Sequence, residues 1–177
     1  VVRGMFGITG VRTWKELRSV PCIEFEDGFE AKQSICVSRS FAEEISDVDE
    51  LSEQVANFAS AVATKLRKQG SVTAELSVFA FTNRFKSSAP QMYGNQLVQL
   101  PVATNDERVV VARAVAAARE LYRRGFGYKK AGVVATKIMS ADGVMHSLFE
   151  DVGAAEREHR LSAVVDSINR EYGRGKL

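Results

Sequence analysis

Two amphipathic helical segments, each set between strand-like runs, constrain the fold of this chain most strongly. Apolar residues recur at helical spacing between Leu51 and Leu66, and again between Val111 and Tyr122. Runs with alternating side chains, or rich in Val, Ala and Phe, predict strands at about 33–41, 72–85, 95–103 and 128–139. The order β-α-β-β-α-β predicts a two-layer α+β domain, ferredoxin-like in arrangement, whose two helices cover one face of a four-stranded sheet.

Capping signals lie at the ends of both predicted helices. Asp47 predicts the start of the first helix and Gly70 predicts its end. Thr104 and Glu107 have the spacing of a capping box, which predicts the start of the second helix, and Gly125 predicts its end. Both helices therefore have defined boundaries in the sequence.

The segments outside this β-α-β-β-α-β region are also predicted to be helical. Over residues 1–20, Val11, Trp14 and Leu17 follow a spacing of three, which is typical of a packed helix face. Leu161–Ile168 predicts a short helix near the C-terminus, too short to be stable without a packing partner. The first residue is Val1 and not Met, so we expect a fragment or a processed chain.

Positive charge is concentrated in the middle of the chain. The formal net charge is only +2, from 24 Lys and Arg against 22 Asp and Glu. Between Lys65 and Lys137, however, there are thirteen basic and four acidic residues. A basic middle between acidic flanks favours a phosphate-facing surface, with an ordinary solvated surface as the alternative.

Three groups of polar and cationic residues lie on the predicted strands or at their ends. They are Ser38, Arg39 and Ser40 in the first strand, Thr82, Asn83 and Arg84 ending the second, and Lys129 and Lys130 opening the fourth. Hydroxyl groups and long cationic side chains bind phosphates without reading the base sequence. Three such groups on one sheet favour nucleic-acid binding.

Sequence signatures of catalysis are missing. The chain has no G-x-S-x-G, H-E-x-x-H, Walker A or G-x-G-x-x-G motif. Its only cysteines, Cys22 and Cys36, are expected to pack in the interior. The acidic run at 43–53 is interpreted as the solvent-exposed start of a helix and not as a metal site. We therefore predict that this chain alone is not catalytic and holds no metal or cofactor. No apolar run approaches the roughly 18–20 residues of a membrane span, and a cytoplasmic location is expected.

Several strings in the sequence resemble one family. KQSICVSRSF at 32–41 resembles the opening strand of the little finger domain in Y-family translesion DNA polymerases of the UmuC type, the type of the DNA polymerase V catalytic subunit. Further similar strings are FGI at 6–8, RTWKELR at 12–18, YGN at 93–95, YKKAGV at 128–133, DSIN at 166–169 and GRG at 173–175. Their order and spacing extend the resemblance over nearly the whole chain.

The resemblance implies a division of the chain and a role for it. Residues 1–27 would be the end of the thumb and a linker, 28–140 the little finger, and 141–177 a C-terminal tail. The little finger would bind template–primer duplex DNA during error-prone synthesis in the SOS response. The palm, with the carboxylates that bind Mg²⁺, would precede Val1. Phosphate contacts would fall to Lys32 and to the three polar groups described above.

The resemblance also implies protein partners for the tail. Members of the family dock on the sliding clamp through a Gln-Leu-x-Leu-Phe peptide, whose closest counterpart here is Met145-His146-Ser147-Leu148-Phe149. The Leu-Phe pair is kept, whereas Met145 and His146 replace Gln and Leu, which predicts weakened docking. Alternatively, Leu148 and Phe149 anchor the tail on the sheet or on a neighbour. The terminal helix would bind a UmuD′-type dimer or a RecA filament, and the sequence does not choose between them.

Two functions from other classes remain as alternatives. A stand-alone RNA-binding sheet domain would stack bases on exposed aromatic rings, and Phe79 and Phe81 could serve if they face outward. A protein-interaction domain with an incidental basic surface is the other alternative. Binding of duplex DNA at two salt concentrations separates this last alternative from the DNA-binding hypothesis.

Overall fold

The described residues in the computed structural model of this chain are 2–22, 32–86, 88–143 and, near the C-terminus, 161, 164, 165, 167, 168, 171 and 173. The chain divides into two units, Val1–Ala31 and Lys32–Leu177. The first unit contains α1 (Val2–Glu16). The elements of the second are β1 (Ile35–Ile45), α2 (Val48–Gln69), β2 (Ser71–Thr82), β3 (Tyr93–Thr104), α3 (Glu107–Leu121), β4 (Tyr128–Ser140) and a 3-10 turn (Ala141–Gly143). Of the described C-terminal residues, all but Gly173 are helical.

The four strands form one antiparallel sheet in the order β1-β4-β2-β3. The predicted α+β class, with its β-α-β-β-α-β order and two helices on one face, is confirmed. The lateral order differs from that of a ferredoxin-like sheet, in which β1 and β3 hold the two central positions. Here β4 lies between β1 and β2, so the last strand of the domain occupies its centre.

The helix α2 has the boundaries that its sequence predicts. The Asp47 carboxylate accepts hydrogen bonds from the backbone N–H groups of Asp49 (2.9 Å) and Glu50 (3.0 Å), which would otherwise lack partners in the first turn. Gly70 ends the helix at φ 65° and ψ 33°, a left-handed conformation that glycine adopts without steric cost. These local signals position the long helix against the sheet.

The predicted capping box of α3 is wrong. The N-cap is Asp106, whose carboxylate accepts from the backbone N–H of Arg108 at 2.7 Å, while the Thr104 hydroxyl accepts from the Asp106 N–H. Glu107 points instead toward α2, where it pairs with Arg67 at 3.0 Å. The helix also ends earlier than expected, at Leu121, so that Gly125 lies in the following loop. The Glu107 carboxylate, which a capping box would use at the start of α3, therefore forms an ion pair with Arg67 of α2.

The hydrophobic core lies between the sheet and the two helices. Leu51 and Val62 of α2 and Val110 of α3 are fully buried against alternate residues of the central strands, such as Val78 and Val133, which are partners in the register. Burial of this apolar surface is the main stabilising contribution to such a domain. The two central strands therefore have one face sealed by α2 and α3.

Tyr128, at the start of β4, is also fully buried. Its hydroxyl accepts from the Arg123 N–H at 2.8 Å and donates to the Met92 sulfur at 3.3 Å. Burial raises the pKa of the Tyr128 hydroxyl, because the phenolate would lose its hydration. This tyrosine therefore joins β4, the loop after α3 and the β2–β3 hairpin as a neutral group.

Two expectations about buried residues are wrong. In α1, Trp14 and Leu17 are 42% and 82% exposed, and Gly7 interrupts the helix at φ 63° and ψ −161°. Cys36, expected in the interior, is exposed on β1, whereas Cys22 is half-buried. The alternation of β1 explains the exposure of Cys36, since the buried Ile35 directly precedes it.

None of the helices in the described ranges is long and apolar enough to span a bilayer.

Candidate nucleic-acid interface

One face of the sheet is left uncovered by α2 and α3, and we call it the open face. Because side chains alternate along a strand, it carries every second residue of each strand. Its residues are Cys36, Ser38 and Ser40 of β1, Glu75, Ser77, Phe79 and Phe81 of β2, Tyr93, Asn95, Leu97 and Gln99 of β3, and Lys130, Gly132, Val134 and Thr136 of β4. Most of these side chains are polar or aromatic.

Three stacked rings, which we call the aromatic row, cross one end of the open face. The ring centroids of Phe79 and Phe81 are 6.0 Å apart with planes 14° apart, and those of Phe81 and Tyr93 are 5.9 Å apart with planes 22° apart. Both spacings fall within the range of offset stacking. The Lys130 ammonium lies 6.0 Å from the Phe81 centroid, which is cation–π distance. This end of the face is therefore both aromatic and cationic.

Gly132 lies at the centre of the open face, between a β1 and a β2 side chain. A Cβ atom at this position would be 2.4 Å from the Ser38 Cβ and 2.6 Å from the Phe79 Cζ. Only glycine therefore lets these two side chains meet above β4. The approach positions Ser38 beside the aromatic row.

The other end of the open face holds a paired carboxylate. Glu75 accepts from the Thr136 hydroxyl at 2.8 Å and from the Gln99 amide, and it forms an ion pair of 2.7 Å with Lys137. The hydrogen bonds from Lys137 and Thr136 lower the pKa of Glu75, because they favour the ionised carboxyl group over the neutral one. This end of the face therefore carries a neutralised charge pair.

The predicted phosphate-binding residues of β1 and β4 fall into two sets. Ser40 and Lys130 are cross-strand partners on the open face, and Ser38 is opposite Gly132 beside them. Arg39 is exposed, but it alternates onto the helix side of β1, an edge strand. The structure therefore brings Ser38, Ser40 and Lys130 together and directs Arg39 to the opposite side of the strand.

The predicted group at the end of β2 has mainly internal contacts. Thr82 is buried, and its hydroxyl donates to Gln91 at 3.0 Å and accepts from the Met92 N–H at 3.0 Å. The Asn83 amide oxygen accepts from the Phe85 N–H at 3.1 Å, which shapes the turn. Arg84 is exposed, with its guanidinium 5.8 Å from the Phe85 ring centroid. Of this group, Arg84 is the residue best placed to reach a ligand.

The two remaining predicted lysines lie at opposite ends of the sheet. The Lys129 ammonium donates to the Ala42 carbonyl of β1 at 2.8 Å, beside Lys130 and near the end of β2 that leads to Arg84. Lys32 precedes β1 at the far end, where its backbone exchanges hydrogen bonds with the Gln69 side chain. Three cations therefore share the end of the sheet that carries the aromatic row, and Lys32 does not join them.

Comparison with known proteins identifies the family. The model for the C-terminal domain of the impB/mucB/samB family matches residues 32–148. This chain belongs to the impB/mucB/samB family. The protein UmuC of Salmonella typhimurium is 33% identical over 177 residues, covering 100% of this chain and 42% of that protein. MucB of Escherichia coli is 35% identical and ImpB of Salmonella typhimurium 32%, each covering 99% of this chain and 41% of the relative.

These relatives confirm the resemblance to UmuC-type proteins of the Y family. The chain spans about two-fifths of the length of the relatives it matches. The family-matched segment, 32–148, begins where the second structural unit begins, at Lys32. It contains all nine residues predicted to contact DNA. The predicted clamp peptide, 145–149, lies outside the described residues and remains a prediction.

Tyr93, the most exposed ring of the aromatic row, is not singled out by the sequence. The sequence pattern places it in the turn before the third strand, but β3 begins at this residue and pairs it with Phe81. The alternation of the hairpin is the signal that could find it, since Tyr93 continues the open-face series of Asn95 and Leu97. Among the described residues, no group of three or more His, Cys, Asp or Glu side chains could hold a metal ion.

Proposed function

We propose that this chain is the duplex-DNA-binding part of a translesion DNA polymerase of the UmuC type, acting in the cytoplasm in DNA-damage tolerance. Membership of the impB/mucB/samB family supports the proposal. Polymerisation, with the Mg²⁺ that it requires, is assigned to the part of the relatives that this chain does not span. The observation that carries the DNA-binding role is the open face, where Ser38, Ser40 and Lys130 are adjacent across β1 and β4.

The geometry suits phosphate contact that is independent of base sequence. Ser38 and Ser40 offer hydroxyl donors, and Lys130 offers a charge on the strand next to them. Arg84 and Lys129 add positive charge at the same end of the sheet. Binding of duplex phosphates by such cations releases condensed counterions, so that affinity falls as salt rises, with a slope of about −0.9 per neutralised phosphate. A polymerase that moves along DNA requires contacts of this kind.

A titration with duplex DNA tests the proposal. Affinity is measured for duplexes of several sequences between about 50 and 200 mM salt. The double variant Lys130→Ala with Arg84→Ala should bind every sequence more weakly, with a salt slope less steep by about 1 for each phosphate that is no longer neutralised. The matched control is Lys65→Ala with Lys68→Ala, which removes the same charge from the exposed side of α2. Identical slopes for the two double variants would contradict the assignment.

The pair Arg39 and Arg84, both predicted from the sequence to bind phosphates, offers a second comparison. The double change Arg39→Ala with Arg84→Ala should also weaken binding at every sequence and flatten its salt dependence. Because Arg39 is directed to the helix side of β1, we expect a smaller effect than that of the Lys130 and Arg84 pair. A larger effect would mean that duplex DNA contacts the edge of the sheet instead of its open face.

RNA binding is retained as a second candidate because Phe79 and Phe81 face outward, as that alternative requires. Family membership favours DNA. A competition experiment with duplex DNA and an RNA hairpin distinguishes the two candidates. Stronger binding of the RNA hairpin would make RNA binding the preferred function. A protein-interaction domain would show no salt-dependent binding of either.

Docking of the tail on the sliding clamp is a further part of the proposal. Leu148 and Phe149 would fill the apolar pocket of the clamp. Retention of the chain on immobilised clamp should fall when both are changed to Ala, and equal retention would remove this partner. A UmuD′-type subunit or RecA is proposed to bind the terminal helix, and retention on each immobilised protein distinguishes them.

A further inference from the structure

We propose that the exposed end of the aromatic row, at Tyr93, is a stacking site for an unpaired nucleobase of single-stranded DNA. Lys130 and Arg84 would hold the phosphates on either side of that base. The inference goes beyond the proposed duplex binding, because its ligand is a single strand and the contact is with the face of a base. In a duplex, that face is covered by the neighbouring base pairs.

The row has a free end at which another planar ring can be added. Phe79 and Phe81 are half-buried within the sheet surface, whereas Tyr93 is 70% exposed. The three rings are nearly parallel, with spacings of 6.0 and 5.9 Å. A nucleobase on the outer side of Tyr93 would continue the series with the same geometry. Stacking of this kind is how proteins hold single strands without sequence preference.

A pocket of about 320 Å³ lies beside the row, between the end of β2 and the start of β3. Phe81, Arg84, Met92 and Tyr93 line it together with Thr82 and Gln91. Two polar side chains of its wall are engaged within the hairpin: the Thr82 hydroxyl bonds Gln91 and the Met92 N–H, and the Gln91 amide donates to carbonyl groups such as that of Asn83. The Arg84 guanidinium is the charged group of the wall. A base in this pocket would therefore find an apolar floor and little hydrogen-bonding to its edges. We infer that the site accepts any base.

The charges around the pocket select a nucleotide over an apolar peptide. The Lys130 ammonium is 6.0 Å from the centroid of Phe81, a lining residue, and Arg84 lines the pocket from the turn after β2. An apolar peptide would leave both cations without counter-charges, whereas a nucleotide strand supplies a phosphate before and after each base. The combination of stacking rings and flanking cations is typical of grooves that bind single strands.

An oligonucleotide without bases separates stacking from phosphate contact. The 177-residue chain is titrated by fluorescence anisotropy with a labelled oligothymidylate of about 12 nucleotides and with an abasic oligonucleotide of equal length and charge. The normal chain should bind the oligothymidylate roughly 5- to 100-fold more tightly. Tyr93→Leu should abolish this difference and leave the affinity for the abasic strand unchanged. Tyr93→Phe should preserve the difference, because the ring and not the hydroxyl stacks.

Two controls keep the test specific. Val109→Ala alters an exposed apolar residue of α3, 39% exposed, on the side of the sheet opposite to the open face, and it should leave both affinities unchanged. Thermal unfolding followed by circular dichroism should show that Tyr93→Leu remains folded, as expected for a side chain that is mostly exposed. Equal binding of the two oligonucleotides by the normal chain would overturn the inference. Equal weakening of both by Tyr93→Leu would overturn it as well.

A duplex titration of the same variants distinguishes this inference from the proposed function. Tyr93→Leu should weaken binding of the oligothymidylate far more than binding of duplex DNA, because the bases of a duplex are covered by their neighbours and cannot stack on the ring. A chain that fails to bind duplex DNA but prefers the strand with bases would refute the duplex proposal alone. Normal duplex binding with no such preference would refute the stacking site alone.

Discussion

Replacing Gly132 with alanine should destabilise the domain, and the structure allows the magnitude to be worked out. The added Cβ would lie 2.4 Å from the Ser38 Cβ and 2.6 Å from the Phe79 Cζ. Carbon atoms in contact are normally about 3.5–4.0 Å apart, so both contacts overlap by roughly 1 Å. The Phe79 ring can swing away at the expense of the aromatic row. The Ser38 Cβ is fixed to the backbone of β1 and can move only with its strand.

Two opposing effects set the size of the change. Overpacking costs about 1–3 kcal/mol, whereas replacing glycine in a strand recovers about 0.5–1 kcal/mol of conformational entropy. Because the Ser38 Cβ can move only with its strand, the overpacking cost falls in the upper part of its range, and we expect Gly132→Ala to lower the free energy of unfolding by about 1–2 kcal/mol. Urea denaturation followed by circular dichroism measures this loss as a lower midpoint.

The double variant Gly132→Ala with Ser38→Gly provides the control, because it removes the closer of the two clashing atoms. It should recover part of the lost stability relative to Gly132→Ala. If Gly132→Ala is as stable as the normal chain, the close packing of β1 on β4 at the centre of the open face is refuted. If the double variant is less stable than Gly132→Ala by the full cost of Ser38→Gly alone, the clash with Ser38 is not the cause.

Three further predictions concern charge, exposure and capping. The hydrogen bonds from Lys137 and Thr136 lower the pKa of Glu75 in the folded chain below the unfolded value of about 4.5. The ionised carboxylate therefore stabilises the fold at pH values above about 4.5, and this contribution is lost as the pH falls through the lower folded pKa. Urea midpoints between about pH 6 and pH 3 should therefore fall more for the normal chain than for Glu75→Gln, and parallel curves would refute the pairing. Saturating duplex DNA should slow alkylation of Cys36, which lies on the open face, but not alkylation of Cys22. Mass spectrometry measures both alkylation rates. An unchanged rate at Cys36 would mean that duplex DNA does not cover the open face. Asp106→Ala should cost about 1 kcal/mol of stability in urea denaturation and Asp106→Asn much less, whereas equal losses would argue against a capping role.

Local patterns in the sequence are sufficient to predict the elements of this fold. The helical spacing of α2, its Asp47 cap and its Gly70 end depend on neighbours within four residues, and the structure confirms all of them. The cap of α3 is harder to predict, because Thr104 and Asp106 both carry a capping oxygen within two residues of each other. Thr104 is still part of β3, where it pairs with Thr73, so the helix begins after Asp106. That strand pairing is a tertiary contact.

The candidate site can be predicted in part. Strand chemistry alone points to Ser38, Ser40 and Lys130, and the register then shows that they are neighbours. The polar side chains of Thr82 and Asn83, at the end of a strand, predict phosphate contacts for the same reason. In the structure, however, these side chains form hydrogen bonds within the β2–β3 hairpin. The Asn83 side chain is engaged locally, by the Phe85 N–H two positions on. The Thr82 hydroxyl is engaged by Gln91 and Met92, nine and ten positions away in the chain. No pattern read along a strand contains that information.

The sequence by itself determined the types of the elements and their order along the chain. It also determined the alternation that separates the core side of each strand from the polar side. These properties follow from contacts between residues that are near neighbours in the chain. Only the tertiary structure decided that β4 lies between β1 and β2. That placement joins Ser40 to Lys130 and Lys130 to Phe81, residues that are separated by 90 and by 49 positions in the chain. Strand order is set by how two helices and four strands bury their apolar faces together, which is a property of the whole domain and not of any segment.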